Sequence, residues 1–324
     1  MKFFLLGEWR FNTGPCNVNR SFVENADKSM RYLTWKRFGR IERWIKCLCS
    51  NPVVISGGTT TVENRILKLF HKKVIYLLHG LRRYENKVNN LNLSNVILQN
   101  EAESLKFSDI ILPVSRKYSE WVKKQLPEYT DKISYLNNGV NISRRGKKQK
   151  QPFTIAISGG NRRIKNNAIV CQAVAKLIEQ GYDCKVYVFG RFYPGGEDLS
   201  KFPFIITTGH LEKEKYYDML DRIALFVMNS ELESFGLVAA DAINCNCSLL
   251  MAHDIGALSI IREKEDCDII YDKDNVEEVA SKMLKLLIDG NADRIYNSID
   301  IEDASEKTAF LKLKNIAKNL LAKS

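Results

Sequence analysis

Short apolar runs, about 4–6 residues each, alternate with stretches of helical spacing along this chain, and the alternation breaks only once. Residues 2–6, 53–56, 74–79, 96–98, 110–114 and 133–136 read as buried strands, with helical stretches such as 61–70 and 115–125 between them. Residues 143–152 (SRRGKKQKQP) then interrupt the pattern, since five basic residues, a glycine and a closing proline cannot pack a core. The alternation restarts with strands expected at 153–158, 184–190, 204–207, 223–228, 248–252 and 268–271, and helices at 164–180, 213–221, 235–244 and 275–289. A last helix is expected over 304–322, with Phe310, Leu311, Leu313, Ile316, Leu320 and Leu321 at helical spacing. Strands buried on both faces and separated by helices imply parallel βαβ units. The expected fold is therefore α/β, with two Rossmann-like doubly wound domains (1–142 and 153–303) around a shared cleft. Residues 143–152 form the linker, and 304–324 a helix that turns back toward the first domain. Ligands of open parallel sheets bind beyond the carboxyl ends of the strands, which places the chemistry in the loops after them.

Composition agrees with two ordinary domains: 324 residues, 45% hydrophobic and 27% charged, a globular and not a disordered balance. No apolar run approaches the roughly 18 residues of a membrane span. The 3–6 run (FFLL) is also shorter than the roughly 7–15 residues of a signal-peptide core. A membrane-spanning or secreted product is not expected. Eight cysteines include two close pairs, Cys47/Cys49 and Cys245/Cys247, neither with CxxC spacing nor with a histidine cluster beside it. They read as reduced structural thiols, and the compartment as cytoplasmic. The net charge of +11 predicts an anionic partner.

Two loops carry the chemistry. Ser230 to Ala242 (SELESFGLVAADA) follows a strand and enters a helix expected to start near Phe235, with Ser234 placed to cap it. A helix start at a strand's carboxyl end offers unpaired N–H groups to an anion, so Ser234, Phe235, Gly236 and Leu237 are expected to line an anion-binding site. Glu233 and Asp241 flank it, and on a continuous helix would stand about 12 Å apart along the axis. That exceeds the roughly 5–9.5 Å of a glycosidase carboxylate pair and suits the two ends of one long ligand. The second loop, Ile157 to Asn167 (ISGGNRRIKNN), closes the first strand of the second domain. The cations there, Lys165 and the adjacent Arg162 and Arg163, suit an anionic ligand.

The 230–242 segment resembles the E-x7-E signature of retaining GT-B glycosyltransferases, specifically glycosyltransferase family 4, with Asp241-Ala242 where the family has Glu-Ala. Asn138-Gly139-Val140, Ser108-Asp109-Ile110 through Val114-Ser115, and His253-Asp254-Ile255-Gly256-Ala257 extend the resemblance over most of the chain. It implies that Glu233 contacts the donor sugar and Asp241 the nucleotide ribose, and that Lys165 with either Arg162 or Arg163 stabilises the charge on a departing diphosphate. His79 after an N-domain strand would also contact the sugar, although a lone histidine at a strand end is by itself more often structural. In the family the first loop borders the diphosphate and the acceptor, so Gly14, Asn17 and Asn19 are expected to line it, with Asn17 and Asn19 on the acceptor side. Gly57-Gly58-Thr59-Thr60 lacks the lysine of a phosphate-binding Walker loop. Asp266-Cys267-Asp268 and Asp272-Lys273-Asp274 read as turn and cap acids and not as a metal motif, so no metal and no cofactor is expected. Residues 26–46 carry seven basic residues against two acids, interleaved with apolar and aromatic side chains. They suit either an anionic membrane surface or an ordinary amphipathic helix.

The expected activity is transfer of a sugar from a nucleotide-diphosphate donor, UDP before GDP, to a hydroxyl of a glycan or lipid-linked acceptor, in surface or capsular polysaccharide assembly. The expected location is cytoplasmic, peripheral on the inner face of the membrane, with no nucleic-acid partner. The alternatives are a nucleotide-sugar epimerase of the same fold and a catalytically silent basic binding partner.

Overall fold

The computed structural model describes residues 2–34, 39–57, 61–146 and 148–322. Residues 35–38 of the basic segment, 58–60 of the glycine pair loop and Lys147 of the linker lie outside the described residues.

The chain divides into two compact units, one of residues 1–86, 91–141 and 302–324 and the other of residues 87–90 and 142–301. In the first, β1 (Phe3–Gly7), α1 (Gly14–Glu24), β2 (Met30–Tyr32), α2 (Gly39–Leu48), β3 (Val53–Ser56), α3 (Thr61–Leu69), β4 (Val74–Leu78), α4 (Arg82–Asn89), α5 (Asn95–Phe107), β5 (Ile110–Pro113) and α6 (Arg116–Gln125) follow one another. The strands form one five-stranded sheet in the order β2-β1-β3-β4-β5, and every pair is parallel. Val53–Ser56 and Val74–Leu78 are buried throughout, as continuous apolar runs in a doubly covered parallel sheet must be.

The second unit holds β6 (Gln151–Ser158), α7 (Asn167–Glu179), β7 (Lys185–Phe189), β8 (Ile205–Gly209), α8 (Lys213–Leu220), β9 (Ile223–Met228), α9 (Leu237–Asn244), β10 (Ser248–Ala252), β11 (Ile269–Ile270), α10 (Val276–Asp289) and α11 (Ala292–Asn297). Its six strands run β11-β10-β9-β6-β7-β8, again all parallel. Strand order reverses between β1 and β3 in the first sheet and between β6 and β9 in the second. At such a reversal the flanking helices diverge to opposite faces and leave a crevice at the strand ends.

The expected two-sheet α/β architecture is what the chain adopts, with local corrections. Residues 96–98 belong to α5 and not to a strand. Their apolar triplet sits in its first turn with Val96 exposed, while Glu101, Ser104 and Leu105 supply the buried face at helical spacing. Residues 133–136 run beside β5, where Ser134 and Leu136 donate to the carbonyls of Ile111 and Pro113, but only Ile133 forms a bridge. The short edge strand β2 and the polar helix α4 carry too little apolar pattern to be seen in the sequence.

The last helix is split into α12 (Ile301–Ala304) and α13 (Glu306–Ala322), because the Ser305 hydroxyl accepts from the Thr308 N–H and starts a new turn. Within the first unit α13 lays Phe310 against Phe3, ring centroids 6.4 Å apart. Gly139 of the 138–140 segment abuts it, since a Cβ there would stand 2.4 Å from Glu306 Cα. All eight cysteines are free thiols, and burial raises Cys47 and Cys171 to about 12. Because Phe310 fills a closed part of the core, Phe310→Ala should cost about 3–5 kcal/mol. A urea midpoint unchanged from wild type would show that α13 does not contribute to the first unit's stability.

Candidate functional site

The loops after β6 and β9 meet where the second sheet reverses, and Lys165 and Glu233, distant in sequence, pair there as ions. Lys165 is only 9% exposed. An ammonium so far out of water needs a partner carboxylate, and Glu233 is the one supplied. Three glycines make the meeting possible. Gly159 (φ +88°) leaves room for the Lys165 stem, whose Cγ would lie 2.7 Å from a Cβ. Gly160 (φ +62°) passes so close to the Arg191 carbonyl that no side chain fits. Gly236 (φ +90°) would drive a Cβ to 2.7 Å from Met228 Cε and 3.1 Å from Glu233 Cγ. Each needs both a left-handed backbone and empty space, which only glycine provides.

Gly236 also corrects the expected helix start. It is the N-cap of α9, which begins at Leu237, so Ser234 does not occupy the N-cap position. Phe235 turns into the core just before, and the left-handed glycine after it makes the sharp entry. The 233–235 segment is clasped by the next loop: Gly256 N–H donates to the Glu233 carbonyl (3.1 Å) and Ala257 N–H to that of Phe235 (2.6 Å).

The arginine pair separates by geometry. Arg163 Nε donates to the Gly195 carbonyl at 2.9 Å, whereas the half-buried Arg162 guanidinium has no partner among the described residues. Asn161 holds the loop after β7 through both its amide atoms, accepting from Tyr193 N–H (2.7 Å) and donating to the Tyr193 carbonyl (3.0 Å).

Asp241 is half-buried, and its Oδ1 accepts from the Tyr217 hydroxyl at 2.5 Å. Burial raises its carboxyl above the ordinary value, against that hydrogen bond and the charges of Lys213 and Arg145. Arg145 lies over the Tyr217 ring at 4.3 Å. Tyr217 was not legible as a site residue, since nothing in the α8 sequence ties it to an acid 24 residues on. Lys273 was also missed. Among acids read only as a turn, it donates to Asp254 Oδ2 (2.7 Å) and to the Glu231 carbonyl (2.7 Å), tying the ends of β9, β10 and β11 together.

Asp268 is buried and bound by both Nη atoms of Arg294 at 2.8 Å, and Asp272 accepts from Asp274 N–H. No group of three or more potential metal ligands occurs among the described residues. A cavity of about 590 Å³ at the opposite ends of the strands, lined by Gln151, Tyr187, Met219 and Arg222 among others, contains none of the expected site residues.

In the first unit the reversal between β1 and β3 gathers a polar chain, buried at Asn19 and Ser56 and half-buried at His79: His79, just past β4, meets the Ser56 hydroxyl (2.8 Å), Ser56 meets Asn19 Oδ1 (2.6 Å), and Asn19 Nδ2 meets the Glu8 carbonyl (2.8 Å). Burial pushes the His79 imidazole down to about 4, so it is neutral at physiological pH. Asn19 is 1% exposed and therefore does not line an acceptor surface, a correction whose cause is its place on the inward face of α1. Asn17 is exposed on the same helix, and Gly14 opens it, with Thr13 as N-cap.

Residues 140–299 match the family model described as glycosyl transferases group 1. No curated protein matches the chain. Among solved structures, Anabaena Alr3699/HepE in complex with UDP and glucose is similar at a TM-score of 0.67 and 11% identity, over 98% of this chain and 99% of that one. WaaG, a glycosyltransferase involved in lipopolysaccharide biosynthesis, is similar at a TM-score of 0.63 and 13% identity, over 96% and 99%. The pneumococcal O-GlcNAc transferase GtfA, in complex with UDP and GlcNAc, is similar at 0.62 and 15%, over 87% of this chain and 60% of its own. The fold is that of the GT-B glycosyltransferases, with two parallel-sheet Rossmann-like domains.

Glu197 accepts from the Asn167 (2.9 Å) and Ala168 (3.4 Å) N–H groups at the start of α7, so that helix end is already occupied by an internal carboxyl group. Burial raises this carboxyl from 4.5 to about 7. The folded state then holds a proton that the unfolded chain releases, so the contribution is complete below about 4.5 and is lost as pH rises through about 7. Wild type should therefore lose stability relative to Glu197→Gln over that interval, measured by urea unfolding at stepped pH; parallel curves would refute it.

Proposed function

We propose that the protein is a retaining glycosyltransferase of family 4, moving a sugar from UDP to a hydroxyl of a glycan or lipid-linked acceptor in surface or capsular polysaccharide assembly. The observation that carries this is the Lys165–Glu233 pair at the sheet reversal, inside the segment that matches the glycosyl transferases group 1 model. The UDP and sugar complexes of the structural neighbours support the choice of donor.

On this reading the donor diphosphate takes Lys165 from Glu233 and adds Arg162, and the freed carboxylate accepts from sugar hydroxyls. One polar contact is exchanged for another, so neither ion is stranded. As the anomeric bond loosens, charge collects on the diphosphate, where both cations stand without reorganising. The positive charge a metal supplies elsewhere comes here from Lys165, Arg162 and the N–H groups opening α9, so the reaction is metal-independent. Asp241 holds the ribose with Tyr217 beside it. The neutral His79 contacts the donor sugar as a hydrogen-bonding group and not as an acid.

A panel of UDP, GDP, ADP and CMP sugars tests the donor by thermal stabilisation. At 100 times its Kd the true donor should add about 2.7 kcal/mol. Glu233→Ala and Lys165→Ala should abolish this, and Lys165→Ala should lower kcat about 10²–10³-fold. Stabilisation by none of the panel would sink the proposal, and an inverted anomer in the product would remove its retaining step.

The described part of the basic segment turns its apolar face outward: Ile41 and Ile45 of α2 are 58% and 57% exposed, with Leu48 one turn further. Arg40 flanks them in solvent, while Arg43 and Lys46 are engaged by Glu63 and Glu42. This favours an anionic membrane surface over a core-packed helix. Ile41→Ser with Ile45→Ser should reduce co-sedimentation with anionic phospholipid vesicles. Equal sedimentation of wild type with neutral and anionic vesicles would overturn the electrostatic part.

A further inference from the structure

The geometry points to Asn19 and Ser56 as positioning residues that lock His79 in its Nε2–H tautomer and present Nδ1 as an acceptor for a hydroxyl of the donor sugar. The sugar contact rests on the transferase reading; the tautomer does not.

The assignment follows from counting protons along the chain. The Glu8 carbonyl can only accept, so the Asn19 atom 2.8 Å from it is the amide nitrogen. Asn19 Oδ1 therefore faces Ser56, and at 2.6 Å two oxygens need a proton between them. Only the Ser56 hydroxyl has one to give. With that proton committed, Ser56 Oγ can act toward His79 only as an acceptor. The Nε2 atom 2.8 Å away must then carry hydrogen. Burial holds the imidazole neutral, so one proton is all it has, and Nδ1 keeps a bare lone pair. Nδ1 has no hydrogen-bond partner among the described residues, and the residue keeps some exposure.

The chain is built in at some cost. Asn19 is fully buried, and the backbone before it is a glycine of necessity: a Cβ on Gly7 would stand 2.6 Å from Asn19 Nδ2 and 2.9 Å from the Ser56 carbonyl. Three strand ends, those of β1, β3 and β4, each contribute one member at the reversal of the first sheet. A satisfied buried network of this kind fixes one arrangement, because every alternative leaves a polar group unpaired. For the reaction, an acceptor nitrogen engages a sugar hydroxyl that would otherwise be free to turn, and the opposite tautomer would offer a hydrogen instead.

Long-range proton–nitrogen NMR on the full chain labelled with ¹⁵N-histidine reads the tautomer directly, with His79 assigned by its loss in His79→Gln. The expected spectrum has Nε2 protonated and Nδ1 bare. Ser56→Ala, a small change that removes the acceptor, should mix the two tautomers and lower kcat/KM about tenfold, the worth of one hydrogen bond. Asn19→Leu frees the Ser56 proton to turn toward Nε2 and should shift the population toward Nδ1–H. A protonated Nδ1 in wild type, or a tautomer unmoved in a folded Ser56→Ala, overturns the lock. Titration with UDP-glucose and UDP-GlcNAc, with binding measured on the same samples, separates the rest. Binding that shifts Nδ1 supports the sugar contact, and binding that leaves it unshifted overturns that contact with the transferase reading intact. Absence of binding to the wider nucleotide-sugar panel overturns that reading and the sugar contact together, while the lock is judged on its own spectrum.

Discussion

The ion pair between Lys165 and Glu233 is the interaction around which the second unit's loops are arranged. Buried ion pairs add little net stability, because desolvating both charges offsets most of their attraction. Breaking one by losing a partner is costly, about 3–5 kcal/mol, since a lone charge is left out of water. A pair of this kind is therefore suited to exchange and not to deletion: an incoming anion can take the cation only if other polar groups take the carboxylate. The glycines at 159, 160 and 236 serve this arrangement, two of them by clearing space for the lysine stem and the glutamate stem. Asn161, Lys273 and the 256–257 backbone then tie the surrounding loops, so the pair is held by the ends of β6, β7, β9, β10 and β11 and not by one flexible segment.

The first unit uses the same topological device for a different kind of group. Its reversal point collects neutral polar side chains and no buried cation: Asn19, Ser56 and His79 satisfy one another in a line. Their order follows from donor and acceptor counting, in which an obligate acceptor at one end, the Glu8 carbonyl, propagates its requirement to the histidine ring. Desolvation keeps that ring uncharged, and a neutral ring suits hydrogen bonding to a sugar better than proton transfer.

Helix N-termini divide their work in a comparable way. At the start of α7, Glu197 takes the first two N–H groups. The start of α9 has a glycine cap with no side-chain hydrogen bond and stands beside Glu233. Two helix ends of the same sheet, equally favourable to an anion in isolation, are thus distinguished by whether an internal carboxyl group reached them first.

The periodicity of the sequence determined the two parallel sheets, because strands buried on both faces must be continuously apolar and the break at 143–152 cannot be. It also placed Glu233 and the 157–167 segment that carries Lys165 at the carboxyl ends of strands, although it put Lys165 inside a helix from 164 that begins only at Asn167. It could not determine that Lys165 and Glu233 touch, that Arg163 is tied to Gly195 while Arg162 is not, or that Asp241 is taken by Tyr217. Those facts depend on which strands are neighbours, and strand order is not written in any local pattern. Asn19 shows the limit most plainly. As a polar residue in a glycine-containing loop region it reads as a ligand contact, yet it is buried. Only the packing of α1 onto β1 and β3 turns its amide inward, where it positions another side chain.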